Sequence, residues 1–438
     1  MSAPAHPSPP LRIALAGLGT VGVGVLRLIE ANRALVEARA GRPIAVTCVS
    51  AREAGRDRAV DLSQSAFEAD MVALASRDDV DVVVEAVGGA DGPALALAEA
   101  ALAAGKGLVT ANKAMIAHHG MRLAEIAAEA HAPLAFEAAV AGGIPVIKGL
   151  REGTAANAIE RVMGILNGTS NYILSTMEAT GADFAAVLAE AQARGFAEAD
   201  PAFDVDGVDA AHKLAILAAI AFGARIDFGA VATSGIREVR AADIAQARTL
   251  GFVIRLVGVA DCQDGALLQR VRPCLVPTSH PLAHVAGATN AVVAEGNFTG
   301  RLLFQGAGAG AGPTASAIVA DLIDIARGRA SAPFSVPVGE LRQMERADPG
   351  HRAGRDYLRF TVADRTGVLA EITAAMRDAG VSIESLIQHG RANEDGGEVV
   401  VALVTHEGPE RCVSHALQLL EGSPSLTSAP LVLPILRD

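Results

Sequence analysis

Short apolar runs alternate with longer segments through the N-terminal third of the chain. The runs are predicted to be buried strands because they are short and rich in valine, isoleucine and leucine. The clearest of them are Leu11–Ala16, Ile44–Ser50, residues 81–87 and Gly107–Thr110, and residues 134–140 are predicted to form a further strand before a glycine turn. Segments such as 23–34 and 93–104 lie between them and are predicted to be helices. Alternating strands and helices are typical of a doubly wound α/β domain with a parallel sheet.

Further apolar runs predict a second and a third region. In the middle of the chain, residues 252–260, 267–276 and 291–298 are expected to be strands of a sheet in an α+β domain. Towards the C-terminus the predicted order is strand, helix, strand, strand, helix, strand, over residues 357–362, 369–379, 382–388, 397–405, 410–420 and 430–435. This βαββαβ order is that of a ferredoxin-like domain.

The first strand runs directly into a G-x-G-x-x-G sequence. The six residues are Gly17, Leu18, Gly19, Thr20, Val21 and Gly22. Between a strand and a helix, the first glycine allows a tight turn, the second admits pyrophosphate to the backbone, and the third allows close helix–strand packing. The start of the following helix presents N–H groups and a partial positive charge to the phosphates. The motif therefore predicts a dinucleotide-binding domain.

The end of the second strand indicates which dinucleotide is preferred. An NAD site commonly has an acidic residue there, which bonds the ribose 2′-hydroxyl. This chain instead has Arg52, followed by Arg56 and Arg58, and the nearest acid, Glu53, comes later than expected. Because arginine suits a 2′-phosphate, we predict NADP and keep NAD open. The alternative is that these arginines lie on a surface loop and have no role in cofactor binding.

The clearest sign of chemistry is the stretch 195–217, GFAEADPAFDVDGVDAAHKLAIL. Lys213 follows Asp209 by four residues, so both side chains share one face of a predicted helix. The only lysines are Lys106, Lys113, Lys148 and Lys213. Lysine can be tuned to release a proton, whereas arginine effectively cannot. Lys213 is therefore a candidate proton donor or carbonyl-polarising group, and the nearby acids are candidates for binding a substrate ammonium. The alternative is an ordinary surface salt bridge.

Lys113 is a second candidate because of its position. It lies just beyond the strand Gly107–Thr110, at the carboxyl end where open α/β sheets bind ligands. We expect it to touch the nicotinamide ribose or the substrate. An exposed lysine at a helix start is the alternative.

Composition and charge narrow the classes of function. The chain has 438 residues, of which 51% are hydrophobic and 20% charged, as expected for a soluble globular protein. A net charge of −12 argues against a nucleic-acid partner. The four cysteines form no CxxC pair and fit reduced thiols. The first ten residues lack the features of a signal peptide, and no apolar run is long enough to span a bilayer. We expect a cytoplasmic protein without a membrane partner.

Several motifs match one family in the same order along the chain. They are GLGTVG, TANK, FEAAVAGGIPVI, NGTSNY and EADPAFDVDGVDAAHK. Together these motifs resemble homoserine dehydrogenase, and the last is the most specific. The resemblance implies a reversible hydride transfer between NAD(P)H and L-aspartate 4-semialdehyde that gives L-homoserine, in threonine, methionine and isoleucine biosynthesis. It also implies a homo-oligomer, a dimer or a tetramer.

The resemblance also implies roles for particular residues. Lys213 corresponds to the family's proton donor, and Lys113 to the lysine shared by cofactor and substrate. The substrate amino group would be held by Glu198, Asp204 and Asp209. A monovalent-cation site, expected to hold sodium and built partly from backbone carbonyls, would fall on Glu137, Val140, Gly142 and Ile144. A glycine turn that returns to the cofactor makes Gly310 a further cofactor candidate.

The C-terminal sequence DRTGVLAEI resembles the ACT domain, an amino-acid-sensing module. Such domains bind an effector at the turn before their first helix, which places Gly367 and Gln388 near the ligand. The pathway implied by the preceding domains makes L-threonine the natural effector. The alternative is a purely structural dimerisation domain.

These patterns divide the chain into segments. We predict a disordered tail (1–10), a nucleotide-binding domain (11–147), a catalytic, substrate-binding and dimerisation domain (148–312), a linker (329–355) and an ACT regulatory domain (356–438). A helix at 313–328 is expected to return to the nucleotide-binding domain. With no room for a fused aspartate kinase, a monofunctional enzyme is expected.

The cysteines and the acidic residues also bear on alternative functions. Aspartate-semialdehyde dehydrogenase needs a catalytic thiolate, and none of the cysteines lies in the glycine-rich or acidic motifs. A calcium loop at Asp204 and Asp206 lacks the acid two residues earlier and the later glutamate. A non-catalytic sensor of dinucleotide and amino acid stays open, as does another Rossmann oxidoreductase acting on an amino-acid aldehyde.

Overall fold

The computed structural model describes residues 9–329, 331–389 and 398–437. Most of the predicted N-terminal tail, residues 1–8, lies outside the described residues. Among the described residues, no helix combines the length and apolar character needed to cross a membrane.

The N-terminal region is a parallel sheet with helices on both faces. Its elements are β1 (Leu11–Ala16), α1 (Thr20–Ala31), α2 (Arg33–Ala40), β2 (Ile44–Ser50), β3 (Ala66–Phe67), β4 (Val82–Glu85), α3 (Pro93–Ala103), β5 (Gly107–Thr110), α4 (Lys113–Glu129), β6 (Leu134–Ala135) and α5 (Val146–Lys148). The strand order is β3-β2-β1-β4-β5-β6 and every pair is parallel. This is the doubly wound order, in which ligands bind where the direction of winding changes, between β1 and β4.

Alternating residues of β1 enter two different cores. Ile13 and Leu15 pack on one face of the sheet, whereas Ala14 and Ala16 belong to the cluster on the other face. All four are fully buried. A strand covered by helices on both faces reads as a continuous apolar run, which explains why its sequence is not alternating.

The middle region packs helices against antiparallel strands. Its elements are β7 (Ile159–Ile165), α6 (Gly168–Thr180), α7 (Phe184–Ala193), α8 (Ala202–Val205), α9 (Val208–Phe222), β8 (Ala232–Thr233), α10 (Ala241–Thr249), β9 (Phe252–Gln263), β10 (Ala266–Pro277), β11 (Thr289–Gly296), β12 (Gly300–Ala307) and α11 (Ala311–Ala326). The buried helix α9 lies across β7, β9 and β10. Helix α11 returns to pack along α1.

The C-terminal region has the ferredoxin-like arrangement that the sequence predicts. Its elements are β13 (Glu345–Arg346), β14 (Ala353–Ala363), α12 (Val368–Asp378), β15 (Ile383–His389), β16 (Glu398–Thr405), β17 (Gly408–Pro409), α13 (Glu410–Leu419) and β18 (Leu431–Ile435). The four main strands are antiparallel in the order β18-β14-β16-β15. The α/β, α+β and ferredoxin-like fold assignments are thus confirmed.

One sheet runs through the middle and C-terminal regions. Leu275 of β10 pairs with Ile435 of β18, which gives the order β12-β11-β7-β9-β10-β18-β14-β16-β15. A buried polar cluster lies at the same boundary: Arg359 of β14 forms an ion pair with Asp243 of α10, and the Tyr357 hydroxyl lies 3.0 Å from Asp243 Oδ1. The two regions are therefore joined through backbone pairing and through buried side chains.

The strand predicted at residues 134–140 is wrong beyond Ala135, where β6 ends. Residues Glu137–Ala139 form a 3-10 turn instead. The cause is a set of distant partners: the Glu137 N–H donates to Asp321 of α11, and the Glu137 carboxylate accepts from the N–H groups of Ile147 and Lys148. These bonds turn the chain away from the sheet.

Candidate active site

The glycine-rich loop between β1 and α1 is shaped for close approach. Gly17 has φ +96°, and a Cβ there would lie 2.6 Å from the Ala86 carbonyl oxygen. A Cβ on Gly22 would lie 1.9 Å from the Gly17 carbonyl oxygen, whereas one on Gly19 would meet no atom within 4 Å. Helix α1 begins at Thr20, and no side chain of the described residues caps its first N–H groups. The loop fits the pyrophosphate of a dinucleotide.

The arginines after β2 behave differently from one another. Arg52 is exposed just beyond the end of the strand. Arg58 folds back over the glycine loop, where its Nε donates to the Leu18 carbonyl at 3.1 Å and its Nη1 to the Arg56 carbonyl at 2.7 Å. The loop after β2 is thereby fixed beside the dinucleotide motif, and Arg52 stays available at its start.

Asp209 connects the two candidate lysines. Its Oδ2 lies 2.8 Å from Lys213 Nζ and its Oδ1 lies 2.8 Å from Lys113 Nζ. Lys213 and Asp209 are on α9, whereas Lys113 is the first residue of α4, so this carboxylate joins the middle region to the nucleotide-binding sheet. Lys213 Nζ also donates to the Leu166 carbonyl at 2.7 Å.

Burial and the neighbouring charges shift the pKa values of both Lys213 and Asp209. Burial lowers the pKa of Lys213, against the opposing effect of Asp209. Burial by itself would raise the pKa of Asp209, but Lys213 and then Lys113 hold it well below its usual range. The carboxylate is therefore ionised at any ordinary pH, and the Lys213 ammonium is a better acid than a free lysine.

Asn167 is a polar residue of the site that the sequence analysis did not single out. Its Nδ2 donates to both Asp204 Oδ1 and Asp209 Oδ2 at 2.8 Å, and its Oδ1 caps α6 by accepting from the Ser170 N–H. Asn167 belongs to the NGTSNY motif, so the signal was present. What could not be seen was that a residue more than 35 positions away would orient both acids.

The remaining acids of the 195–217 stretch point elsewhere. Asp206 pairs with Arg237, and Asp200 accepts a hydrogen bond from the Ala202 N–H at 3.1 Å at the start of α8. Glu198 lies on an exposed turn, where its main-chain carbonyl accepts from Gln192 Nε2 at 3.0 Å. The structure thus brings Asp204 and Asp209 to the lysines and places Glu198 at the outer side of the same segment.

A cleft of about 550 Å³ opens at the carboxyl ends of β4 and β5. Its lining comprises Gly88, Gly89, Ala90, Ala111, Asn112, Lys113, Ala114, His118, Phe203, Val208, His212 and Phe228. Asn112 shapes the cleft: its Oδ1 caps α4 at the Met115 N–H, and its Nδ2 donates to the Gly89 carbonyl at 2.7 Å. Lys113 therefore lines the cleft. Lys213 does not line it and is connected to Lys113 through the shared ion pair with Asp209.

Two histidines in this cleft were not singled out from the sequence. His118 of α4 and His212 of α9 approach to 3.1 Å between their Nε2 atoms. His212 stacks on Phe228 with 4.5 Å between ring centroids, and the ring centroid of Phe203 lies 5.5 Å from that of His212. Because the two histidines are 94 positions apart, only the folded chain reveals the pair.

The predicted cation ligands lie in the turn that follows β6. Ala141 and Gly142 both have positive φ, 55° and 51°, so the peptide groups from Val140 to Ile144 reverse direction sharply. Burial and then Asp321 raise the pKa of Glu137 to about 7, against the hydrogen bonds from Lys148 and Ile147. No cluster of His, Cys, Asp or Glu side chains suited to a metal occurs among the described residues, a finding that does not address carbonyl ligands. Carbonyl oxygens are suitable donors for a hard cation.

Gly310 and the two effector candidates occupy defined places. Gly310 precedes α11, which begins beside α1. The two helices approach so closely there that a Cβ on Gly24 would lie only 2.6 Å from the Ala311 carbonyl oxygen. In the C-terminal region, Gly367 and Gln388 both line a cavity of about 350 Å³ at the start of α12.

Comparison with known proteins adds to this geometry. Family models match in three places: homoserine dehydrogenase, NAD binding domain, over residues 17–137; homoserine dehydrogenase over residues 145–323; and the ACT domain over residues 357–411. A homoserine dehydrogenase of Pseudomonas aeruginosa is 43% identical over 430 residues, which covers 97% of this chain and 98% of that protein.

Solved structures agree with the sequence matches. A homoserine dehydrogenase from Thiobacillus denitrificans superposes with a TM-score of 0.91 at 39% identity, covering 98% of both chains. A hyperthermophilic archaeal homoserine dehydrogenase in complex with NADPH has a TM-score of 0.62 at 27% identity, covering 72% of this chain and 97% of that one.

Proposed function

The chain belongs to the homoserine dehydrogenase family, and from this premise we propose how its own residues carry out the reaction. The enzyme is an oxidoreductase that interconverts L-aspartate 4-semialdehyde and L-homoserine with a nicotinamide dinucleotide. The resemblance of the motifs is thus confirmed, and so is the presence of an ACT domain.

The observation that carries the proposed mechanism is the single carboxylate shared by Lys113 and Lys213. Both ammonium groups lie 2.8 Å from Asp209, so an aldehyde oxygen that enters beside this carboxylate is within reach of either lysine. The bound reduced nicotinamide supplies the hydride. As negative charge develops on the oxygen, a neighbouring ammonium stabilises it, and Lys213 donates the proton.

The acids bind the other end of the substrate. Asp204 and Asp209 both accept a hydrogen bond from Asn167, which orients them, and we assign the substrate ammonium to them. Glu198, on the outer turn, completes this set when substrate is bound. Lys113 contacts both substrate and nicotinamide ribose, which its place in the cleft at the end of β5 supports.

The dinucleotide binds along the glycine loop, from Gly17 to Gly22, with Gly310 approaching from α11. NADP is proposed over NAD because Arg52 stands where an NAD-specific acid would be, and Arg58 holds the neighbouring loop against Leu18. The archaeal relative solved with NADPH supports this preference.

A monovalent cation, sodium, is proposed at the turn after β6. The residues would hold it through the carbonyl oxygens of Glu137, Val140, Gly142 and Ile144, where two left-handed residues reverse the chain. Its place next to the Glu137–Lys148–Asp321 cluster supports a structural role between the nucleotide-binding sheet and α11.

The ACT domain is proposed to bind L-threonine and to regulate the enzyme. The cavity beside α12, with the N-terminus of that helix and the side chain of Gln388, is of a size to hold an amino acid. A homo-oligomer is also proposed, because β12 forms the edge of the long sheet with Leu303 and the nearby Phe298 exposed, Phe298 to 89%.

The test is an assay of L-homoserine oxidation that follows the absorbance of reduced nicotinamide, with NADP and NAD in parallel, and with and without L-threonine. Lys213→Ala is expected to reduce turnover by roughly 10²–10⁴-fold, the usual contribution of a general acid–base group. Lys213→Arg is the matched variant: it keeps the positive charge beside Asp209 but cannot give up a proton, and we expect it to be as inactive.

Each arm of the assay has a contrary outcome. Equal turnover by wild type and Lys213→Arg would refute the proton-donor role. A preference for NAD would refute the role given to Arg52, and indifference to threonine would refute threonine as the effector and favour a purely structural ACT domain. A folded protein that binds dinucleotide but shows no turnover would favour the sensor function instead.

A further inference from the structure

The helices that carry the two site lysines meet through a second polar contact. Lys113 and His118 are on α4, and Asp209, His212 and Lys213 are on α9. Next to the Lys113–Asp209 ion pair, the Nε2 atoms of His118 and His212 lie 3.1 Å apart. The nucleotide-binding region and the middle region therefore touch at the cleft through one charged and one imidazole–imidazole contact.

The surroundings of His212 require an uncharged imidazole. It is 3% exposed, and its ring stacks on Phe228 with an interplanar angle of 16°. Its Nδ1 is buried without a hydrogen-bond partner in the described structure. Burial and then His118 lower the pKa of His212 to about 4. A proton on Nδ1 would have no acceptor, which favours the form in which Nε2 carries the hydrogen.

The contact is most favourable when both rings are neutral. In a neutral pair one Nε2 donates and the other accepts. A proton on one ring keeps the bond only if the other ring carries its hydrogen on Nδ1, and Nδ1 of His212 has no acceptor among the described residues; two imidazolium rings would present two donors to one another. The charged groups facing His212 are Lys113 from α4, and Asp209 and Lys213 from its own helix. Two of these three are cations, so a proton on the pair would add a third positive charge to the cleft.

His118 has a further histidine as its neighbour on α4. His118 is exposed, and the ring centroid of His119 lies 6.3 Å from that of His118. His119 itself lies 2.8 Å from Asp91 and does not line the cleft. Phe203 and Phe228, which flank the histidines, carry no charge.

We propose that His118 and His212 are positioning residues for the reaction: their neutral hydrogen bond holds α4 against α9 and so fixes Lys113 relative to Asp209 and Lys213. Added positive charge on this contact weakens it, because Nδ1 of His212 has no acceptor in the described part of the chain and two lysines already lie nearby, so catalysis falls at acidic pH by a route separate from Lys213. This inference rests on the proposed roles of Lys113 and Lys213.

The test compares three replacements by the pH dependence of kcat/KM for L-homoserine. His118→Ala removes the contact and is expected to lower kcat/KM by roughly 10-fold, as for a small misplacement of reacting groups, with dinucleotide affinity nearly unchanged. His118→Gln keeps a hydrogen-bond partner that does not titrate, so it should retain most activity at pH 8 and lose part of the fall at acidic pH. His119→Gln, one residue along the same helix, is the matched control and should behave as wild type.

A double variant tests whether the two histidines act together through one hydrogen bond or contribute to activity independently. Because the histidines act through one bond, His118→Ala with His212→Gln should be no worse than the more damaging single variant by more than about twofold. Should His212→Gln fail to fold, the exposed His118 variants still give the pH profile.

An acidic limb that is the same in wild type, His118→Ala and His118→Gln would overturn the proposal, as would an equal effect of His119→Gln. Wild-type turnover in the same assay keeps this outcome distinct from a failure of the proposed mechanism.

Discussion

Lys213 is the residue to which the proposed mechanism assigns the transferred proton. Its side chain is buried against Asp209 and the Leu166 carbonyl, and the burial lowers its pKa. Reduction of the aldehyde needs the ammonium form, whereas oxidation of homoserine needs the neutral amine as a base. The two directions must therefore respond to pH with opposite sign.

We expect homoserine oxidation to rise with pH and to reach half its maximum below the pKa of about 10.4 of a free lysine. Aldehyde reduction should fall through the same interval. Initial rates in both directions at fixed saturating cofactor, over pH 6.5–10, measure the two curves. Parallel curves, rising or falling together, would show that the titrating group is not the proton donor.

Among the elements, the loop between β1 and α1 contains one glycine that is needed for packing, Gly22, and one that is left open towards the proposed ligand, Gly19. Gly22 is packed against the Gly17 carbonyl, so that even a methyl group has no room. Gly19 has φ −84°, which any residue adopts, and a Cβ there would meet no protein atom within 4 Å. The two positions therefore predict different losses.

Gly19→Ala should fold with a nearly unchanged melting temperature and bind dinucleotide much more weakly, because its methyl group occupies space needed by the pyrophosphate. Gly22→Ala should lower the free energy of unfolding by about 1–3 kcal/mol through overpacking. Thermal unfolding and titration with fluorescent NADPH distinguish the two variants. Tight NADPH binding by a well-folded Gly19→Ala protein would contradict the placement of the pyrophosphate.

The same elements show what the sequence could predict. The strands β1, β2, β5 and the six elements of the ACT domain follow from local apolar patterns, and the glycine motif follows from its place between strand and helix. Predictions failed where distant residues decide the backbone: β6 stops early because Asp321 of α11 binds the Glu137 N–H, 184 positions away in the chain.

Side-chain constellations followed the same rule. Asp209 and Lys213 were predictable because they are one helical turn apart on α9. Lys113 was predicted as a separate candidate, but its sharing of the Asp209 carboxylate was not. Asn167 bonds acids more than 35 positions away and the two histidines are 94 positions apart, and no periodicity connects residues at such distances.

At the scale of the whole molecule, the ACT domain is attached to the middle region by more than a linker. The sheet continues from β10 into β18, and Arg359 lies with Asp243 in a buried ion pair, 2% and 0% exposed. Burial raises the pKa of Asp243, and Arg359 opposes that effect. Arg359 of the ACT domain therefore stabilises the ionised form of Asp243 in the middle region.

Arg359→Met should destabilise the protein by about 3–5 kcal/mol, since it leaves a buried carboxylate unpaired. Arg355→Met is the control: Arg355 is on the same strand and pairs with Glu384, but both side chains are more than a third exposed, and the loss should stay below about 1 kcal/mol. Denaturant unfolding of both variants measures the difference. Because an unpaired buried carboxylate binds a proton more readily, the Arg359→Met deficit should shrink as pH falls. Equal losses in the two variants would contradict this account of the boundary.

The scarcity of lysine has a practical consequence for labelling chemistry. Each of the four is engaged inside the fold: Lys106 with the carbonyls of Arg77 and Val80, Lys148 with Asp321 and Asp324, and Lys113 and Lys213 with Asp209. Of the three in ion pairs, Lys113 has the most exposed side chain, at 35%. A reagent that modifies lysine would therefore react in the cleft, so we expect conjugation through lysine to inactivate the enzyme, whereas conjugation through a cysteine introduced on the surface would spare it.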